Sequence, residues 1–205
     1  MHREIFNREW PMLAYDPVLI TGVILAGGQG SRMGGEDKGL VMYRGRPLIE
    51  PVLARLRPQV GTVLLSANRN LERYREYGLP IVADRLDGFQ GPLAGFAAAL
   101  EVATTPWLVT VPCDGPDLAE VLVQRLWQGA QAASAEIAVA HDGARMHSVY
   151  ALMRRDVLPG LRAFLARGER KIGLWFEEYR TERVDFSDMP ERFFNLNTPQ
   201  DIPRA

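Results

Sequence analysis

Val18-Leu19-Ile20-Thr21-Gly22-Val23-Ile24-Leu25-Ala26, followed directly by Gly27-Gly28-Gln29-Gly30-Ser31-Arg32-Met33-Gly34-Gly35-Glu36-Asp37-Lys38, is the stretch that decides the fold. A short, nearly continuous apolar run reads as a strand covered on both faces. It gives way at once to a loop with five glycines, one arginine and one lysine. Glycines let a backbone turn its N–H groups toward an anion, and the two cations add fixed positive charge. A strand that ends in such a loop is the opening unit of an open α/β sheet that binds phosphates beyond its strand ends.

Outward from this run the same alternation continues. Short apolar runs at Val63 to Ala67, Pro80 to Ala83, Trp107 to Pro112 and Glu136 to Ala140 are predicted strands. Between them lie stretches of helical period. Pro47 to Val60 repeats Leu48, Val52, Leu56 and Val60 every fourth residue, with Pro47 suited to a first turn. Leu71 to Tyr77, Leu93 to Ala103 and Leu118 to Ala130 supply three more helices. Further on, Ser148 to Met153 and Arg183 to Phe186 read as strands, and Val157 to Arg167 and Ile172 to Tyr179 as helices. The expected architecture is a three-layer, Rossmann-like α/β fold with a mostly parallel mixed sheet. Residues 18–205 are expected to form a single domain, and residues 1–17, which lack a period, a peripheral extension.

Composition excludes several classes. The 205 residues carry a formal net charge of -1, with 47% hydrophobic and 24% charged residues. That balance is ordinary for a globular domain and argues against nucleic acid as a partner. The single cysteine, Cys113, rules out an internal disulfide and a multi-thiolate zinc site, and suits a reducing compartment. No run is long enough to span a membrane and no signal peptide is legible, so a cytoplasmic location is expected.

Two common phosphate motifs fail on spacing. A P-loop needs Ser or Thr after Gly-Lys, whereas Lys38 stands between Asp37 and Gly39; the dinucleotide fingerprint needs a small residue where Met33 stands. Three other predicted strand ends carry polar groups. Asp114 follows the Trp107 strand in a turn between Pro112 and Pro116, and is a hard oxygen donor suited to Mg2+; read alone, it is more readily the N-cap of the next helix. Ser66 and Asn68 follow the second strand and Asp84 the third. A carboxylate there accepts from both N1–H and N2–H2 of guanine, a pair that cytosine does not offer, although turn formation and pairing with Arg85 are the plainer uses.

The run Leu-Ala-Gly-Gly-x-Gly-x-Arg-Met-Gly-Gly-x-Asp-Lys resembles the signature loop of the nucleotidyltransferase superfamily, and the Pro-Cys-Asp-x-Pro turn resembles its metal-binding turn. Within it, Gly27-Gly28 and the Gly-Gly-x-Asp-Lys ending are similar to the molybdenum cofactor guanylyltransferases. The resemblance implies transfer of GMP from GTP to molybdopterin or its molybdenum-loaded form, with Mg2+ as cofactor. It implies nucleotide binding by Leu25, Ala26, Gly27, Gly28, Lys38, Ser66 or Asn68, Asp84 and Asp114. Arg32, Lys38 and Asp114 take the catalytic roles, and Asp114 the metal. Gly91-Pro92-Leu93-Ala94-Gly95 also resembles the family, and reads equally as ordinary helix initiation. On the acceptor side it implies His147, Arg170, Asn195 and Asn197, and it allows transient contact with other cofactor-synthesis proteins. Family members often have His-Pro-Thr where this chain has His147-Ser148-Val149, and Thr or Met at Gly115. A cytidylyl or sugar-phosphate nucleotidyltransferase and a non-catalytic GTP-binding adaptor are the alternatives.

Overall fold

The computed structural model describes residues 14–28, 37–83, 91–196 and 201. Nine strands are assigned among them: β1 (Ile20–Leu25), β2 (Met42–Tyr43), β3 (Arg46–Pro47), β4 (Thr62–Ser66), β5 (Ile81–Val82), β6 (Trp107–Pro112), β7 (Ile137–His141), β8 (Met146–Arg154) and β9 (Thr181–Asp185). Six helices accompany them: α1 (Ile49–Leu56), α2 (Leu71–Arg75), α3 (Pro92–Val102), α4 (Leu122–Ala132), α5 (Leu158–Ala166) and α6 (Ile172–Phe176). Seven strands form one sheet in the order β5-β4-β1-β6-β8-β7-β9. β8 runs antiparallel to β6 and β7, and every other pairing in that sheet is parallel. The expected α/β class and mixed, mostly parallel sheet are therefore present.

Alternation along the strands divides the core into two layers, as the pleat requires. Val63 and Leu65 of β4 join Leu56 of α1 and Leu126 of α4 on one face, while Leu64 joins Phe96 of α3 and Leu161 of α5 on the other. Trp175 of α6 meets Phe96 edge to face, which fixes α6 on that second side. Tyr15 also belongs to the packed molecule. Its hydroxyl donates to the Gln59 carbonyl at 2.6 Å and its ring packs edge to face with Trp127, so the chain is already seated against α4 before Val18.

Three local readings are corrected. Pro47 lies in β3 and not in a helix, because Arg44 (φ 50) and Gly45 (φ 81) make the paired positive-φ turn of a two-residue hairpin. α1 begins only at Ile49. α4 begins at Leu122 instead of Leu118, because side chains take the backbone groups that an earlier turn would use. Arg55 donates to the Leu118 carbonyl, and buried Gln59 donates to the Ala119 carbonyl while accepting from the Val123 N–H. The seventh strand of the sheet is Thr181–Asp185, two residues earlier than expected at its start, and is paired along its length with β7.

From β1 the chain passes by α1 to β4 on one side, continues outward to β5, and then crosses back through α3 to β6 on the other side of β1. The direction of strand addition therefore reverses between β1 and β6. The crevice beyond their carboxyl ends is the place where open α/β sheets hold ligands.

Candidate active site

Register aligns the loops at that crevice. Leu25 pairs with Ser66 on one side and Pro112 on the other. Past the strand ends, the Ala26 N–H donates to the Ser66 carbonyl at 2.7 Å and the Cys113 N–H to the Leu25 carbonyl at 3.1 Å. The Ala67 N–H donates to the Val82 carbonyl at 3.0 Å. Ala26-Gly27-Gly28, Ala67-Asn68 and Cys113-Asp114 thus leave the sheet side by side.

Gly27 and Asn68 approach closely: a methyl group on Gly27 would lie 3.3 Å from Nδ2 of Asn68. A methyl group on Gly28 would meet nothing within 4 Å. Ser66 is buried, and its hydroxyl lies 2.9 Å from where a Gly95 side chain would begin. The small residue in the first turn of α3 is what admits it. Asn68 therefore meets the glycine loop and Ser66 meets α3. Arg32, Asp84 and Asn197 lie outside the described residues.

The decisive contact joins the glycine-rich segment to the strand-end carboxylate. Lys38 Nζ donates to Asp114 Oδ2 at 2.8 Å, with the two side chains 23% and 11% exposed. Asp114 does not cap the helix that follows, since α4 starts eight residues later without a side-chain cap. Its backbone carbonyl instead accepts from the Leu196 N–H at 2.9 Å, which draws the Asn195-Leu196 segment to the same turn. The Tyr150 hydroxyl donates to Asn195 Oδ1 at 3.0 Å and occupies the space at Gly115, where an added methyl carbon would be 2.1 Å from it. That contact explains glycine here. Leu196 also packs with Val41, Tyr43 and Leu48, so the β2-β3 hairpin and the 195–196 segment share a small core.

Residues 22–183 match the MobA-like NTP transferase domain. Over 185 residues the chain is 51% identical to a molybdenum cofactor guanylyltransferase of Serratia proteamaculans (strain 568), covering 90% of this chain and 93% of that one. A second such protein, from Vibrio cholerae, is 49% identical over 180 residues and 88% of each chain. The chain belongs to the molybdenum cofactor guanylyltransferases. Its fold is shared with the molybdopterin-guanine dinucleotide biosynthesis protein A of Archaeoglobus fulgidus, at a TM-score of 0.74 and 23% identity over 89% of this chain and 94% of that one. It is shared too with the 2-C-methyl-D-erythritol 4-phosphate cytidylyltransferase of Thermus thermophilus, at 0.64 and 19%, over 88% and 94%.

In this guanylyltransferase family member the residues expected on the acceptor side take different positions. Asn195 is held at the Asp114 turn, as described. His147 is 8% exposed, stacks on Phe193 with ring centroids 4.5 Å apart, and shares a 2.7 Å hydrogen bond between Nε2 and Asp142 Oδ2. Arg170 is turned back on the end of α5, donating to the Leu165 carbonyl at 2.9 Å.

Sequence reasoning passed over Asp37, Tyr74 and Tyr150. Asp37 was visible inside the glycine run, but its role depends on Tyr74, 37 positions away, whose hydroxyl donates to Asp37 Oδ1 at 2.5 Å. Burial is the main reason that the Tyr74 and Tyr150 hydroxyls and the Cys113 thiol are all pushed well above their ordinary pKa. All three stay neutral, and Cys113 is no nucleophile.

Proposed function

We propose that this protein transfers GMP from GTP to molybdopterin, or to its molybdenum-loaded form, with release of pyrophosphate. The observation that carries the reading is the Lys38–Asp114 pair at the β1-β6 crevice, since it brings the glycine-rich segment and the strand-end carboxylate to one place. A triphosphate laid across Gly27 and Gly28 would meet the Lys38 ammonium at its oxygens. Asp84, beyond the end of β5, is the residue we assign to the guanine edge, Asn68 and Ser66 to the nucleotide pocket, and Arg32 to phosphate charge.

The residues present suit Mg2+. Asp114 offers a hard oxygen donor, and its Oδ2 already faces a cation, the Lys38 ammonium. Among the described residues no group of three His, Cys, Asp or Glu could hold a metal, so substrate phosphates and water would complete the shell around a single carboxylate. When bound there, the ion would offset negative charge on the phosphates.

The protein's own part is positioning and charge. An oxygen of the acceptor phosphate attacks the α-phosphorus, forming the new P–O bond as the bond to the bridging oxygen breaks and pyrophosphate leaves with its electron pair. The attacking phosphate is already ionised, so no side chain needs to remove a proton. Lys38 lowers the barrier by facing oxygens that gain charge during the transfer. Asn195 and Asn197, with His147 and Arg170, form the acceptor side in this reading.

Among the described residues no helix is long and apolar enough to cross a membrane. With one cysteine and no disulfide to maintain, we place the enzyme in the cytoplasm. Purified protein given Mg2+, molybdopterin and GTP should release pyrophosphate and append GMP to the pterin. Preference for CTP overturns the base assignment, turnover with sugar phosphates overturns the acceptor, and tight GTP binding with no pyrophosphate makes the protein an adaptor.

A further inference from the structure

Asp37 is an ionisable side chain that the reaction does not touch, and it is only 4% exposed. Burying a carboxylate is costly unless donors surround it, and here three do so. Oδ1 accepts from the Tyr74 hydroxyl at 2.5 Å and from the Gly39 N–H at 3.3 Å, and Oδ2 accepts from Asn70 Nδ2 at 3.2 Å. Arg69 Nε lies 3.6 Å from the same Oδ2. These donors come from the 37–39 turn, the loop after β4, and α2. They bracket Lys38: Asp37 caps the short 3-10 turn Lys38–Leu40 through Gly39, and its backbone carbonyl accepts from Leu40 at 2.9 Å. Gly39 is required on the other side, because a methyl group there would stand 2.5 Å from the Tyr74 hydroxyl and drive it off Asp37.

We infer that Asp37, anchored by Tyr74, is a positioning residue that fixes the backbone of Lys38 so that its ammonium is held at the Asp114 carboxylate. Lysine is a flexible four-carbon stem carrying a compact charge, so anchoring its α-carbon removes much of the freedom that would blur that charge. An error of about 1 Å in such a group costs on the order of 10²-fold in rate. The inference rests on the assignment of Lys38 to the GTP phosphates.

The test is a double-mutant cycle on the full chain, with pyrophosphate release measured at varied GTP and varied molybdopterin. Asp37→Asn keeps the shape but turns one acceptor into a donor, which faces either the Tyr74 hydroxyl at Oδ1 or Asn70 Nδ2 at Oδ2. It should lower kcat/KM for GTP by about 10- to 100-fold and leave the KM for molybdopterin unchanged. In a Lys38→Ala background the same change should cost less than about twofold, because the group being positioned is gone. Tyr74→Phe, which keeps the ring, should follow the same pattern more weakly and serves as the readout if Asp37→Asn does not fold. Equal losses in both backgrounds, or no loss where Lys38 is present, overturn the inference. A Lys38→Ala protein with undiminished turnover overturns the reading of Lys38 itself.

Discussion

The Lys38 ammonium and the Asp114 carboxylate meet at 2.8 Å although 76 positions separate them in the chain. One follows the glycine loop after β1, the other lies just past the end of β6, and the parallel pairing of those strands brings them together. The first prediction follows from that pair. Asp114→Asn keeps the side-chain volume and removes the charge, so GTP turnover should fall by about 10²- to 10³-fold and its dependence on Mg2+ concentration should flatten. Retained magnesium-dependent turnover would remove Asp114 from the metal site.

Gly115 should not tolerate a side chain while Tyr150 keeps its hydroxyl, given the 2.1 Å approach. Gly115→Ala should cost about 1–3 kcal/mol of stability. Tyr150→Phe vacates that space while losing the bond to Asn195, so the double variant should be more stable than the sum of the two single losses. Thermal melts of the four proteins decide this, and strict additivity would contradict the steric account.

Gln59 joins α1 to the start of α4 by donating to the Arg55 and Ala119 carbonyls and accepting from Val123. Gln59→Met has a similar volume and none of these bonds. It leaves the buried Val123 N–H without its acceptor, while the Ala119 carbonyl keeps the Leu122 N–H, and should cost about 1–3 kcal/mol. For a chain of this size the melting temperature should drop by roughly 2–12 °C. A change of under about 1 °C would show that water replaces the amide without loss.

In the turn between β7 and β8, the Arg145 N–H, then His147, and also the Ala144 N–H hold the Asp142 carboxyl well below the usual range. A depressed folded-state pKa stabilises the protein above the unfolded value and ceases to do so as pH falls through the folded one. Wild type should therefore exceed Asp142→Asn in melting temperature at about pH 5. That margin should shrink below about pH 4. A margin that grows below about pH 4 contradicts the assignment.

The strands of the central sheet were legible because both their faces are covered, which leaves unbroken apolar runs such as Trp107–Pro112, whose limits agree with the structure at both ends. The β2-β3 hairpin was not, although Arg44-Gly45 marks its turn, because two-residue strands leave no period to read. The reversed course of β8 between β6 and β7 depends on pairing between distant segments, which local pattern does not encode. In the site the same division holds. Gly27, Gly28, Lys38 and Asp114 stand in contiguous motifs at strand ends. The groups that hold their neighbours, Tyr74 at Asp37 and Tyr150 at Asn195, are core-lining residues of other elements and look like core until the fold brings their hydroxyls into place.

The account is tested most directly by a crystal structure of the protein with GTP and Mg2+. It should show the triphosphate along Gly27 and Gly28, with the metal on Asp114 and phosphate oxygens within hydrogen-bonding distance of Lys38 Nζ. A nucleotide bound elsewhere, or bound there with neither Lys38 nor a metal on Asp114 touching its phosphates, contradicts it.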